Sequence, residues 1–189
     1  MKVRLAVPVV SGFLLFAMAI VPAFGQVNPA SVSGAVAACG ARNIIFKVKK
    51  DNATPAQAPA DKALVFLIQD TEQPLLEVMD KVRMRADGKW MGATQDQTYM
   101  SFVLDPGTHH LCTSIQDEGD LRLSHQGEFG LQDGIILHRL NVEAGKTYYF
   151  RMTVALTRLQ RRIPFLEEVD EDEGRFLVQT TTHATSHPK

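Results

Sequence analysis

Cysteine is scarce in this chain: 189 residues hold only Cys39 and Cys112. Two thiols exclude a disulfide-dense miniprotein and a four-cysteine zinc centre. Net charge is scarce as well. Twenty Lys and Arg against 21 Asp and Glu leave −1, which excludes a protein that holds nucleic acid through a general positive field. Beyond residue 20 no apolar run reaches the roughly 20 residues of a membrane-spanning helix. The common catalytic signatures are missing: there is no G-x-S-x-G elbow, H-E-x-x-H, C-x-x-C or dinucleotide fingerprint. Gly145-Lys146-Thr147 matches a phosphate loop in letters only. Its upstream glycine would fall on Leu140, and a strand pattern follows instead of a helix. No repeat of fixed period is present, and no segment keeps helical periodicity over three turns.

The N-terminus carries the clearest signal that is present. Lys2 and Arg4 precede an uncharged apolar run from Leu5 to Ile20. Val21-Pro22-Ala23-Phe24-Gly25 then sets small residues at −3 and −1 before Gln26. This is the layout of a secretory signal peptide over 1–25, cleaved after Gly25. The alternative is a retained anchor, for which the run is short and interrupted by Pro22. Val36-Ala37-Ala38-Cys39 has the letters of a lipobox, but a mostly polar stretch separates it from the apolar run. Cleavage leaves about 164 residues with a net charge of about −3. It places them in the periplasm or outside the cell, where disulfides form.

Four regions follow from composition. Residues 1–25 are the signal. Residues 26–61 are a leader with one short strand, Asn43 to Lys49, and a Pro/Ala linker, Asp51 to Asp61. Residues 62–180 have short strand-like pieces separated by turn signals, the rhythm of a sandwich. Residues 181–189 read as a disordered tail.

Ala63 to Gln69 is continuously apolar until its last residue and reads as a central strand buried on both faces. Val82 to Thr94 reads as a hairpin turning at Asp87-Gly88. A two-residue loop there sets Met84 opposite Met91, Val82 opposite Ala93 and Arg85 opposite Trp90. Tyr99 to Ser114 reads as a second hairpin through Asp105-Pro106-Gly107-Thr108, with Leu111 opposite Phe102. Ile135 to Val154 reads as a third, closed by Glu143 to Lys146. Arg175 to Thr180 reads as the last strand, with a short helix over Asp170 to Val178 as the alternative. Leu121 to Leu131 and Val154 to Ile163 give the weakest signals.

Cys39 and Cys112 are expected to form a structural disulfide if the chain is exported, the alternative being two separate thiols. Such a bridge stabilises by roughly 4 kcal/mol in the chain-entropy view. His109-His110-x-Cys112 invites a metal reading. Yet adjacent strand residues point to opposite faces, and a bridged Cys112 offers no thiolate. His125, His138, His183 and His187 add no ligand spacing, so no metal or cofactor is assigned. Six carboxylates between Glu167 and Glu173 read as a solvated acidic loop, weak calcium binding being the alternative. Trp90, the single tryptophan, faces Arg85; it is expected to pack against a neighbouring strand or loop, the alternative being a cation–π pair at a rim or an anchor for a partner. The two are the candidate partner contact.

Five segments carry a resemblance. They are K-A-L-V-F-L-I (62–68), D-G-K-W-M-G-A (87–93), S-F-V-L-D-P-G-T-H-H-L-C (101–112), A-G-K-T-Y-Y-F-R (144–151) and D-E-G-R-F-L-V (172–178). In order and spacing, with Cys39-Gly40 upstream, they resemble a domain family of unknown function. That family occurs in exported bacterial proteins, lipoproteins included, and is similar to carboxypeptidase-regulatory-like and PEGA-type sandwiches. The resemblance implies an all-β, immunoglobulin-like or prealbumin-like antiparallel sandwich, an envelope location and no catalytic residues. The expected function is that of a non-catalytic binding or structural module meeting an unknown envelope protein or ligand. A hydrolase with its site in the hairpin loops, or a metal- or redox-handling protein, is the alternative.

Overall fold

A computed structural model describes residues 39, 44–70, 81–116, 136–156 and 162–189. The signal segment, Gly40, the weak stretch from Leu121 to Leu131 and His125 lie outside the described residues. Ten strands form. In chain order they are β1 (Phe46–Asp51), β2 (Ala63–Gln69), β3 (Lys81–Ala86), β4 (Lys89–Gln95), β5 (Thr98–Leu104), β6 (Gly107–Gln116), β7 (Ile136–Val142), β8 (Thr147–Leu156), β9 (Arg162–Val169) and β10 (Thr182–Pro188). A helix, α1 (Glu171–Thr180), lies between β9 and β10.

Two sheets make an all-β sandwich. The larger has the order β1-β10-β5-β2-β8-β9 and the smaller β4-β3-β6-β7. Pairing is mainly antiparallel, but β2 runs parallel to β8 and β10 parallel to β5. β2 sits inside the larger sheet, and every one of its residues is buried. Its side chains alternate between two cores. Ala63, Val65 and Leu67 face the smaller sheet and pack with Val82, Met84, Leu111, Phe150 and Met152. Leu64, Phe66 and Ile68 face the other way and pack with Tyr99, Tyr149 and the helix residues Leu177 and Val178.

Three pairings differ from the local sequence pattern. Arg85 does face Trp90, but Met84 faces Gly92, Arg83 faces Ala93 and Val82 faces Thr94. A bulge at Met91 takes up the extra residue. Gly92 (φ 146°) explains it, since a Cβ there would stand 2.6 Å from Ser186 Oγ and 2.9 Å from Met100 Sδ. β4 presses against β10 and β5 where no side chain fits. The second and third turns close no hairpins. Phe102 pairs with Val65, and Leu111 pairs with Ala86 and His138. The Asp105-Pro106 and Glu143–Lys146 turns carry the chain from one sheet to the other. β2 needs hydrogen-bonded neighbours on both sides, and β5 and β8 supply them.

The C-terminal region also differs. Arg175 to Thr180 is helix, the alternative reading. The acidic run divides between the end of β9 and the first turn of α1, where Glu171, Asp172 and Glu173 meet the positive end of the helix dipole. Residues 181–189 are not a disordered tail, because β10 fills the gap between β1 and β5. Its sequence, T-H-A-T-S-H-P, has almost no apolar content. It is held by ladder bonds, which composition does not report. β1 likewise belongs to the larger sheet and not to a separate leader.

Gly174 is where α1 meets the sheet, and a Cβ there would overlap Cβ, Cγ and Cδ1 of Tyr149. Gly174→Val is therefore expected to lift the helix off Tyr149 and destabilise by about 1–3 kcal/mol, the usual cost of overpacking. A urea midpoint equal to that of the parent would contradict this packing.

Candidate functional site

Two polar constellations stand out from the sandwich, one across its end and one on the outer face of the smaller sheet. The first gathers the turns at the start of β2, the end of β5, the β3–β4 turn and the start of β6. Asp87 (φ 48°) and Gly88 (φ 77°) form the positive-φ turn expected of that dipeptide. The Asp87 carboxylate accepts from the His110 backbone N–H at 2.9 Å and pairs with His109 Nδ1 at 2.5 Å. His109 Nε2 lies 2.7 Å from the Asp105 carbonyl. The Asp105 side chain in turn pairs with Lys62 Nζ at 2.5 Å. This clasp links Lys62 and Asp105 of the larger sheet to Asp87 and His109 of the smaller. The Gly145 N–H donates to the Lys62 carbonyl at 2.9 Å and ties in the third turn.

Each charge in the clasp shifts its neighbour. Partial burial lowers the His109 pKa, but the Asp87 carboxylate, the Asp105 carbonyl and both negative charges outweigh it, so the net shift is upward. Burial raises Asp87, and the His110 N–H and the His109 ring outweigh it downward. Hydrogen bonding and charge from Lys62 lower Asp105, and Asp105 raises Lys62. An acceptor at each ring nitrogen favours the protonated form of His109 over the neutral one.

The second constellation is a strap. Ahead of β1, Cys39 and Ile44 lie against the outer face of the smaller sheet. Cys39 and Cys112 place their sulfurs at bonding distance, 2.03 Å, and join residues 73 apart. Arg85 donates to the Cys39 carbonyl, and Arg83 Nη1 donates to the Ile44 carbonyl at 2.9 Å. The Gln116 side chain bonds both the N–H and the carbonyl of Phe46, at 2.7 and 3.0 Å. Phe46 meets Trp90 edge-on at 5.5 Å. Trp90 has the Arg85 guanidinium 3.9 Å from its ring centre and that of Arg83 at 5.3 Å.

The Arg85–Trp90 pair is thus present, but not at a rim. Arg85 is 2% exposed and Trp90 half-buried beneath the strap. A buried guanidinium cannot serve as a surface anchor, so the pair fastens the strap. Sequence reading missed Arg83 and Gln116, because their partners are backbone atoms of a segment remote in sequence. The described histidines do not converge. His109 belongs to the clasp, His138 meets Phe150 edge-on, and His183 pairs with Asp51 at 2.6 Å. Among the described residues no three His, Cys, Asp or Glu gather as a metal site. A sulfur bonded to Cys112 also cannot carry a thioether-linked lipid on Cys39.

A family model described as a protein of unknown function, DUF2846, matches residues 59–161. The chain belongs to that family. The DUF2846 match holds all four side chains of the clasp, together with Arg83, Arg85, Trp90 and Cys112. Cys39, β1, α1 and β10 lie outside it. No curated protein matches, and no solved structure does.

The clasp predicts a pH dependence. A raised histidine pKa stabilises fully below the unfolded value near 6.5, and that stability is lost as pH rises through the folded value. A depressed Asp87 stabilises above its unfolded value near 3.8, and that stability is lost as pH falls through the folded value. Both act together between these limits. The melting-temperature difference between the parent and His109→Gln should be largest near pH 5.5 and shrink towards pH 9. A difference that is flat with pH would contradict the charged clasp.

Proposed function

We propose that this DUF2846 protein is an exported, non-catalytic β-sandwich module of the bacterial envelope that works by binding another envelope component. The observation that carries this reading is the Cys39–Cys112 pair, which ties a segment following a signal-like N-terminus to β6. Such a bond persists where thiols are kept oxidised. The titratable side chains give further support. His109, Asp87, Lys62 and Asp105 fasten the sheets to each other, and Arg151 is held by Asp70 at 2.6 Å and Glu173 at 3.4 Å. Groups already spent on structural bonds are poor general acids, bases or nucleophiles.

A binding module needs surface that a partner can bury. Phe165 on β9 is 51% exposed and Phe176 on α1 is 62% exposed. Phe165 lies on the same side of the larger sheet as α1, since it pairs with Thr153 two residues along from Arg151. Large exposed aromatic side chains suit protein contact.

Intact-mass measurement of the native protein without reduction tests the reading. The expected result is a chain beginning at Gln26, in the periplasmic or extracellular fraction, with no thiol that alkylates. A cytoplasmic chain retaining Met1, with two alkylatable thiols, would overturn it.

A further inference from the structure

The two edges of the larger sheet carry opposite charge. β1 forms one edge and β9 the other, and neither has a ladder partner on its outer side among the described residues. Lys47, Lys49 and Lys50 are exposed on β1, and Glu167 and Glu168 are exposed on β9. Of these, Lys50 pairs with Asp96 at 3.9 Å. Lysines on an edge strand ordinarily keep copies of a protein apart. Here they repel a second β1 edge but attract a β9 edge.

Strand direction fits the same match. Passing across the sheet from β1 to β9, the direction reverses at β1/β10, β5/β2 and β8/β9 and is kept at β10/β5 and β2/β8. β9 therefore runs opposite to β1. A second copy placed by continuing the sheet, without turning over, sets its β1 antiparallel to the first copy's β9.

Side-chain faces then restrict the register. Lys47 and Lys49 share a face with Asp51, which pairs through His183 with Tyr99 on the helix side. Glu167 shares that side with Val169. An antiparallel ladder must match like faces, and a slip of one residue breaks the match. Setting Glu167 opposite Lys49 obeys the rule. The same register places Glu168 diagonal to Lys50 on the other face, within reach of a long side chain.

We propose that copies of this chain join edge to edge, β9 of one against β1 of the next, extending the larger sheet. The contact is head-to-tail, so it generates rings or open chains and not a closed two-fold dimer. Like edges are kept apart by their own charge, which makes the pairing directional. The inference is independent of export, since it uses only the folded, oxidised chain.

Sedimentation of the oxidised full chain at rising concentration and low ionic strength tests it. Assembly beyond the dimer is expected, weakening with added salt. Lys49→Glu alone and Glu167→Lys alone should each weaken it more than about tenfold, by setting like charges together. The chain carrying both reversals should regain it. A single monomeric species at every concentration would overturn the proposal. So would assembly indifferent to the reversals, or loss in both single variants without recovery in the double.

Discussion

A strand with no exposed residue imposes the architecture. Seven consecutive residues of β2 are buried, so both of its faces need cover and both of its edges need ladder partners. The edges recruit β5 and β8, which is why β5 does not pair with β6, nor β7 with β8. One face receives the smaller sheet and the other receives α1. Burial of each large apolar side chain contributes roughly 1.5–3 kcal/mol. A layer on each side of β2 is thus favoured over a single flat sheet.

The clasp and the strap complete what the cores begin. Turns that pass between sheets leave charged residues at the end of the sandwich, and Lys62, Asp105, His109 and Asp87 bind that end together. The strap answers a different need. Its carbonyls would be unsatisfied on the face of a sheet, and Arg83 and Arg85 donate to them while stacking near one indole. Charge here closes the fold. Charge is also open to solvent along β1, β9 and the start of α1.

Much of this was legible in the sequence, for definite reasons. The unbroken apolar run of β2 reports burial directly, and Asp87-Gly88 reports a positive-φ turn directly. Cys39 and Cys112 had only each other. What local pattern could not carry was the choice of sheet at each turn, because a hairpin and a crossing use the same turn residues. The bulge at Met91 depends on Gly92 passing close to Ser186 and Met100, a contact far along the chain. β10 has too little apolar content to read as a strand and is ordered only by its neighbours. The same limit hid the clasp, since four polar residues from separate turns have no spacing signature. It also misplaced Arg85 at a rim, because the strap that buries it lies more than forty residues away.

Amide hydrogen exchange tests most directly the claim that the sandwich is organised about β2. Under native conditions the amides of Val65, Phe66, Leu67 and Ile68 should exchange slowest in the chain, at the rate set by global unfolding. Those of the edge strands β1 and β4 should open by smaller fluctuations. Exchange in β2 as fast as in β1 would contradict the account.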